Sequence, residues 1–125
     1  MSNAETLRLA LERFSLTEPP LDLYADDLVF VTREELTGRV EFHGHDGFRR
    51  ALGEYSESWA DARPELLGTE VIADDVLVAG IRWHVRGHSG IELSVDESWA
   101  VWMRDGLIAR THQFGSREEA LAACR

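Results

Sequence analysis

Arg82 and His84 alternate with Ile81, Trp83 and Val85 along a run that reads as a strand, so the two polar residues share one face. A histidine paired with Asp96 or Glu92 would make a usable general base, and the neighbouring arginine could stabilise developing negative charge. The same two residues also fit a solvent-facing strand. A one-residue change of register would turn Ile81 and Trp83 inward in their place. The run His43-Gly44-His45-Asp46 offers two imidazoles and a carboxylate, the ligand types zinc uses. No third histidine or cysteine follows at a metal-binding spacing, and Asp46 is better placed to cap a helix. No metal and no cofactor is expected.

A second polar set is carried by a hairpin. Asp105-Gly106 separates two β-rich runs and is a dipeptide that favours a two-residue type I′ turn. That turn sets Arg104 opposite Leu107, and it also aligns Ser98 with Gln113, Ala100 with Thr111, and Trp102 with Ala109. Ser98 and Gln113 could bond to each other across the strands. The other face pairs Trp99 with His112, Val101 with Arg110, and Met103 with Ile108. On it Leu93, Val95, Trp99, Val101, Met103, Ile108 and Phe114 form an apolar stripe.

The elements that must hold these residues follow from spacing. Residues 4–14 read as a helix with Ser2 or Asn3 as cap and Leu7, Leu11 and Phe14 on one face. Pro19-Pro20 stops it. Leu21–Ala25 fits one further helical turn, Leu28–Thr32 a short strand, Arg33–Thr37 a turn and Gly38–His43 an extended segment. Asp46 is expected to cap a helix with Phe48, Leu52, Tyr55 and Trp59 spaced 4, 3 and 4 apart, ended by Pro64. Strands follow at Glu65–Ala73, Val76–Val85, Ile91–Met103 and Leu107–Phe114. Ser116 with Glu119 makes a capping box for a closing helix. Helices first and an antiparallel meander afterwards indicate an α+β fold, one domain spanning residues 1–125.

Composition narrows the function classes. With 125 residues and 44% hydrophobic content the chain can build a real core. A net charge of −10 argues against nucleic acid or an anionic membrane as partner. The single cysteine, Cys124, fits a reducing compartment. No run approaches the length of a membrane helix, and the N-terminus lacks the pattern of a signal peptide. A cytoplasmic protein is expected.

Several short features occur in the order seen in one superfamily: Tyr24-Ala25-Asp26-Asp27, Gly44-His45-Asp46-Gly47, Trp59-Ala60-Asp61, Gly87 with Ser89-Gly90, Arg104-Asp105-Gly106, and Arg117-Glu118-Glu119-Ala120-Leu121. By these the chain resembles the SnoaL-like proteins of the nuclear transport factor two-like superfamily. The resemblance implies a cone: a strongly curved, mostly antiparallel sheet wrapped over three N-terminal helices, with a short C-terminal helix and a pocket at the open end. It also implies that Thr32, Ser98, Thr111 and Gln113 face the pocket, with Arg82 and His84 joining them, and that Phe14, Tyr24, Phe30, Trp59 and Trp102 are either core or ligand-stacking surface.

The chemistry of the known relatives is not carried over residue by residue. Ketosteroid-isomerase-like catalysis needs a carboxylate base, a tyrosine and a protonated aspartate; the matching positions read Thr32, Phe14 and Ser98. Epoxide hydrolysis of the limonene type needs a tyrosine, an asparagine and a terminal-strand carboxylate, and here those positions read Phe30, Thr32 and Gln113. Two readings of function remain. One is a cofactor-free isomerase, cyclase or hydrolase of a small apolar, oxygen-bearing molecule, with His84 as acid/base and Arg82 as charge stabiliser. The other is a non-catalytic ligand-binding or dimerisation module. In the family the convex sheet face commonly meets a second subunit, so the apolar stripe predicts a homodimer centred on Trp99 and Val101; packing of that stripe inside the monomer is the alternative.

Overall fold

A computed structural model of the chain describes residues 1–33 and 40–125. Its elements are α1 (Asn3–Glu12), a single 3-10 turn (Leu21–Leu23), β1 (Tyr24–Val31), β2 (Glu41–His43), α2 (Gly44–Ser58), β3 (Trp59–Ala73), β4 (Val76–Gly87), β5 (Glu92–Arg104), β6 (Leu107–Phe114) and α3 (Arg117–Ala123). Most of the expected turn at Arg33–Thr37 and the start of the extended Gly38–His43 segment lie outside the described residues. The strands form one open, curved sheet in the order β2-β1-β6-β5-β4-β3. Only the β1–β6 pairing is parallel. This is the α+β cone expected of the chain. None of the described helices is long and apolar enough to cross a membrane.

α1 and α3 begin where their caps dictate. Ser2 accepts a hydrogen bond from the Glu5 amide, and Ser116 accepts one from the Glu119 amide while donating to the Glu119 carboxylate. Asp46 does no such work. The residue before α2 is His43, which makes no side-chain cap; Gly44, at φ +73°, turns the chain, and Asp46 in the first turn faces Arg49 at 3.4 Å. Pro64 does not end that helix either. α2 stops at Ser58, Trp59 is already extended, and Pro64 lies within β3 opposite Trp83. β3 is a sheet edge, the one setting in which a strand tolerates a residue with no amide hydrogen.

The hairpin holds the main departure. Asp105 and Gly106 both take positive φ, +54° and +77°, as a type I′ turn requires. Arg104 faces Leu107 and Met103 faces Ile108 as expected. A bulge then leaves Ala109 unmatched, so Trp102 pairs with Arg110, Val101 with Thr111, Trp99 with Gln113 and Ser98 with Phe114. One extra residue thereby turns Thr111 and Gln113 toward the same side as Trp99 and Val101. That side is the core. Trp99 is 4% exposed and Val101 0%, packed with Leu7, Leu11, Leu28, Phe48, Leu52, Leu77 and Ile81. The expected dimer surface on Trp99 and Val101 is therefore interior to the monomer, because α1 and α2 cover the stripe. On the other side α3 packs over β4–β6, where Val78 and Ala100 are buried and Arg117 grips Glu70 at 2.7 and 2.8 Å.

Candidate active site

Along β5 the inward positions read Val95, Glu97, Trp99, Val101 and Met103, and one of these five is a carboxylate. Glu97 is 8% exposed. Its neighbour two residues on, Trp99, shares its face, and Trp83 stands on the same face of β4. Both indoles donate to the same oxygen, Trp83 Nε1 at 2.8 Å and Trp99 Nε1 at 3.1 Å to Oε1. Arg33 NH1 lies 3.6 Å from Oε2. Burial pushes the Glu97 carboxyl above the ordinary glutamate value, and the two indole bonds and the Arg33 charge oppose that push without cancelling it.

Glu97 forms part of the wall of a cavity of about 140 Å³. Phe14 and Leu16, just beyond α1, close one side, and Tyr55 in the last turn of α2 and Trp59 at the start of β3 close another. Trp83, Val85 and Val95 form the sheet wall, with Thr32 and Gln113 at the ends of β1 and β6. Phe14 meets Trp83 edge-on with ring centres 5.0 Å apart. The Tyr55 phenol is pushed up, chiefly by burial and then by the Glu97 charge, with the Gln113 side chain as a hydrogen-bonding neighbour. It is a neutral donor over the whole physiological range. Thr32 Oγ1 donates weakly to the Val40 carbonyl at 3.4 Å. A smaller chamber of about 20 Å³ adjoins the cavity and is lined by Tyr24, Phe30, Phe48, Trp99, Thr111 and Gln113 among others. Tyr24 and Phe30 both pack on Phe48, with ring centres at 4.8 and 5.5 Å.

The residues expected from sequence divide accordingly. Phe14, Thr32, Trp59 and Gln113 line the main cavity, and Tyr24, Phe30 and Thr111 line the chamber. Ser98 and Trp102 do not: they alternate with the inward Trp99 and Val101 on β5 and so lie on the outer face, where Ser98 pairs with Phe114 and Trp102 lies under the Arg110 guanidinium, 5.5 Å from the ring centre. Arg82 and His84 are also on the outer face, with side chains 42% and 37% exposed, since Ile81, Trp83 and Val85 are the residues of β4 that turn inward. Arg82 is spent on Asp96, at 2.8 and 3.1 Å. His84 bonds Glu65 through Nε2 at 2.8 Å and Ser94 through Nδ1 at 3.3 Å, so neither Asp96 nor Glu92 is its partner. In the His43–Asp46 run, His45 Nε2 lies 3.1 Å from the Tyr24 carbonyl, and His43 lies 3.5 Å from Glu41. Among the described residues no three metal-ligating side chains come together.

Glu97 is the residue that the sequence reading passed over. Its signal was present: an acid interrupting an otherwise apolar alternation from Val95 to Met103. Such a residue on a buried face must be paired or must titrate.

Three solved structures share this architecture. TerC, co-crystallised with polyporic acid, is 19% identical over 96% of this chain and 95% of its own, with a TM-score of 0.78. A protein of unknown function from Burkholderia pseudomallei, described as nuclear transport factor two-like, is 18% identical over 98% and 97%, also at 0.78. A Catenulispora acidiphila protein with a ketosteroid isomerase-like fold, in complex with trimethylamine, is 12% identical over 96% and 89%, at 0.73. At these identities the likeness concerns the fold. No curated protein matches the sequence. A family model for the SnoaL-like domain matches residues 17–111, and with three quarters of its length under that model the chain belongs to the SnoaL-like family.

Proposed function

We propose that the cavity receives a small, mostly apolar, oxygen-bearing molecule and that Glu97 acts on it as a proton donor or acceptor, without a cofactor. The observation that carries this reading is a carboxylate sunk among Phe14, Trp59, Trp83 and Val95 with its pKa raised by burial. A carboxyl moved toward neutrality transfers protons more effectively at physiological pH than one left near its ordinary value. Trp83 and Trp99 fix one carboxylate oxygen, which leaves the other, beside Arg33, as the oxygen that exchanges a proton. Tyr55, Gln113 and Thr32 supply neutral hydrogen bonds that orient the ligand. Isomerisation, cyclisation or hydrolysis are the reaction types such a site supports.

Size constrains the ligand. A cavity near 140 Å³ is comparable to the ~150 Å³ engineered void that holds benzene, so a single ring is the scale. The polyporic acid and trimethylamine found with two fold relatives support a cone that takes small organic molecules. The test is a thermal-shift screen with compact cyclic ketones, enols and lactones, followed by turnover assays on each hit with wild type and Glu97→Gln. Loss of about 100-fold or more in turnover with binding retained is expected. Unchanged turnover in Glu97→Gln would remove the catalytic assignment.

The second reading, a non-catalytic binding module, is favoured by the bonds that already hold Glu97. It predicts hits in the screen with no turnover by wild type. A homodimer is also proposed, but through a surface other than the buried Trp99–Val101 stripe; light scattering showing a monomer at micromolar concentration would exclude it.

A further inference from the structure

Thr111 is 1% exposed, yet its Oγ1 has no hydrogen-bond partner among the described residues. It stands on β6 opposite Val101, facing the core. Valine has the same shape, favours strands equally and needs no partner, so an unpaired hydroxyl at this position opposes folding. The residue does not, however, sit wholly in solid packing. It lines the chamber of about 20 Å³, whose walls include Phe14, Tyr55, Trp83 and Gln113. Those four residues are also walls of the main cavity. The chamber is thus its inner end, while Glu97 borders only the outer part.

Space and chemistry together restrict what can enter. A volume of this size holds one oxygen-sized group, about a single water. Among the described residues no charged side chain lines it, so an ion would be stripped of water with nothing to compensate. The polar groups of its lining residues are the Thr111 hydroxyl, the Tyr24 and Tyr55 phenols, the Gln113 amide and the Trp83 and Trp99 indoles; both indoles are already bonded to Glu97, and each of the other four can donate a hydrogen bond.

We propose that the chamber is a subsite for one carbonyl oxygen of the ligand, held by Thr111 Oγ1 with Gln113 and Tyr55 beside it. This rests on the reading of the cavity as a ligand site. It narrows the ligand class to compact carbonyl compounds that place the C=O inward and a proton-exchanging carbon toward Glu97.

Cyclohexanone and methylenecyclohexane differ only in C=O against C=CH2 and have nearly the same shape, so their dissociation constants isolate the oxygen. Calorimetry on wild type should give the ketone a preference of about fivefold to tenfold. In Thr111→Val the preference should fall to within about twofold, with the hydrocarbon bound as tightly as before, and Thr111→Ser should restore it. Equal binding of the two probes to wild type, or a preference that survives in Thr111→Val, overturns the subsite. So does a crystal structure of the cyclohexanone complex with water in the chamber and the ketone oxygen elsewhere. If neither probe binds wild type, the cavity reading falls and takes the subsite with it; hydrocarbon binding without ketone preference removes the subsite alone.

Discussion

Asp96 points to the outer face of the sheet, where Arg82 meets it with two hydrogen bonds and holds its carboxyl below the ordinary aspartate value. Glu97, the next residue on β5, points inward, and burial drives its carboxyl the other way although Arg33 is close. Both acids have an arginine. What separates them is water. On the outer face the ions keep their hydration and their pairing adds little. Inside, the cost of stripping a carboxylate exceeds what two indole donors and an arginine return. A strand that alternates faces can therefore carry an inert acid and a tuned one side by side.

The comparison is broken most forcefully at Glu97. Glu97→Leu removes the shared acceptor of two buried indole N–H groups, and should destabilise the fold by about 3 kcal/mol or more in chemical denaturation. A loss near zero would mean that the carboxylate is not the centre of this network. Trp83→Phe keeps most of the ring but removes the shorter of the two indole bonds. It should cost about 1–2 kcal/mol and raise the Glu97 pKa further, read by NMR titration of the side-chain carboxyl.

A third expectation concerns pH. The folded-state pKa of Glu97 lies above its ordinary value of 4.5, so folding favours the protonated form. Its contribution to stability is fully present below 4.5 and is lost as pH rises through the folded value. The stability of Glu97→Gln relative to wild type should accordingly increase from pH 4.5 toward pH 7.5. A constant difference across that range would contradict the raised pKa. For Asp96 the sign is reversed, since its pKa is lowered: its contribution is present above the ordinary aspartate value of 3.8 and lost as pH falls through the folded one. The smallest effect is expected from Asp96→Asn, with no resolvable change in Tm at neutral pH. A large drop there would mean that the outer pair matters as much as the inner network.

Local signals in the chain were read well where the chemistry is local. The turn at Asp105-Gly106, the caps at Ser2 and Ser116 and the amphipathic spacing from Phe48 to Tyr55 each depend on a few consecutive residues, and all are present. Pro64 departs from its local reading because its meaning depends on β3 being an edge, a property of the whole sheet. The site was half legible for a related reason. Thr32, Thr111 and Gln113 are placed at the pocket through the family resemblance, whereas the hairpin register taken alone groups Thr111 and Gln113 with Ser98 and Trp102. Nothing in the residues around Ala109 announces a bulge, and without it every assignment from Ser98 to Trp102 falls on the wrong side. The inward-facing Glu97 was hidden by that same error.

The unmatched Ala109 acts on β6 much as a frameshift acts on a gene. Upstream of it, toward the turn, the strand is in one phase with β5; downstream, every side chain has exchanged inside for outside. Deleting Ala109 would remove the bulge and leave Thr111 and Gln113 inside, opposite Val101 and Trp99; flattening the bulge with Ala109 retained would instead eject both and bring Arg110 and His112 into the interior, though no substitution had been made. Alignments that match relatives residue by residue across this hairpin will, for the same reason, pair a lining position in one protein with a surface position in another. Forming or flattening a bulge at constant chain length would be a short evolutionary route between pockets of different chemistry on an unchanged scaffold.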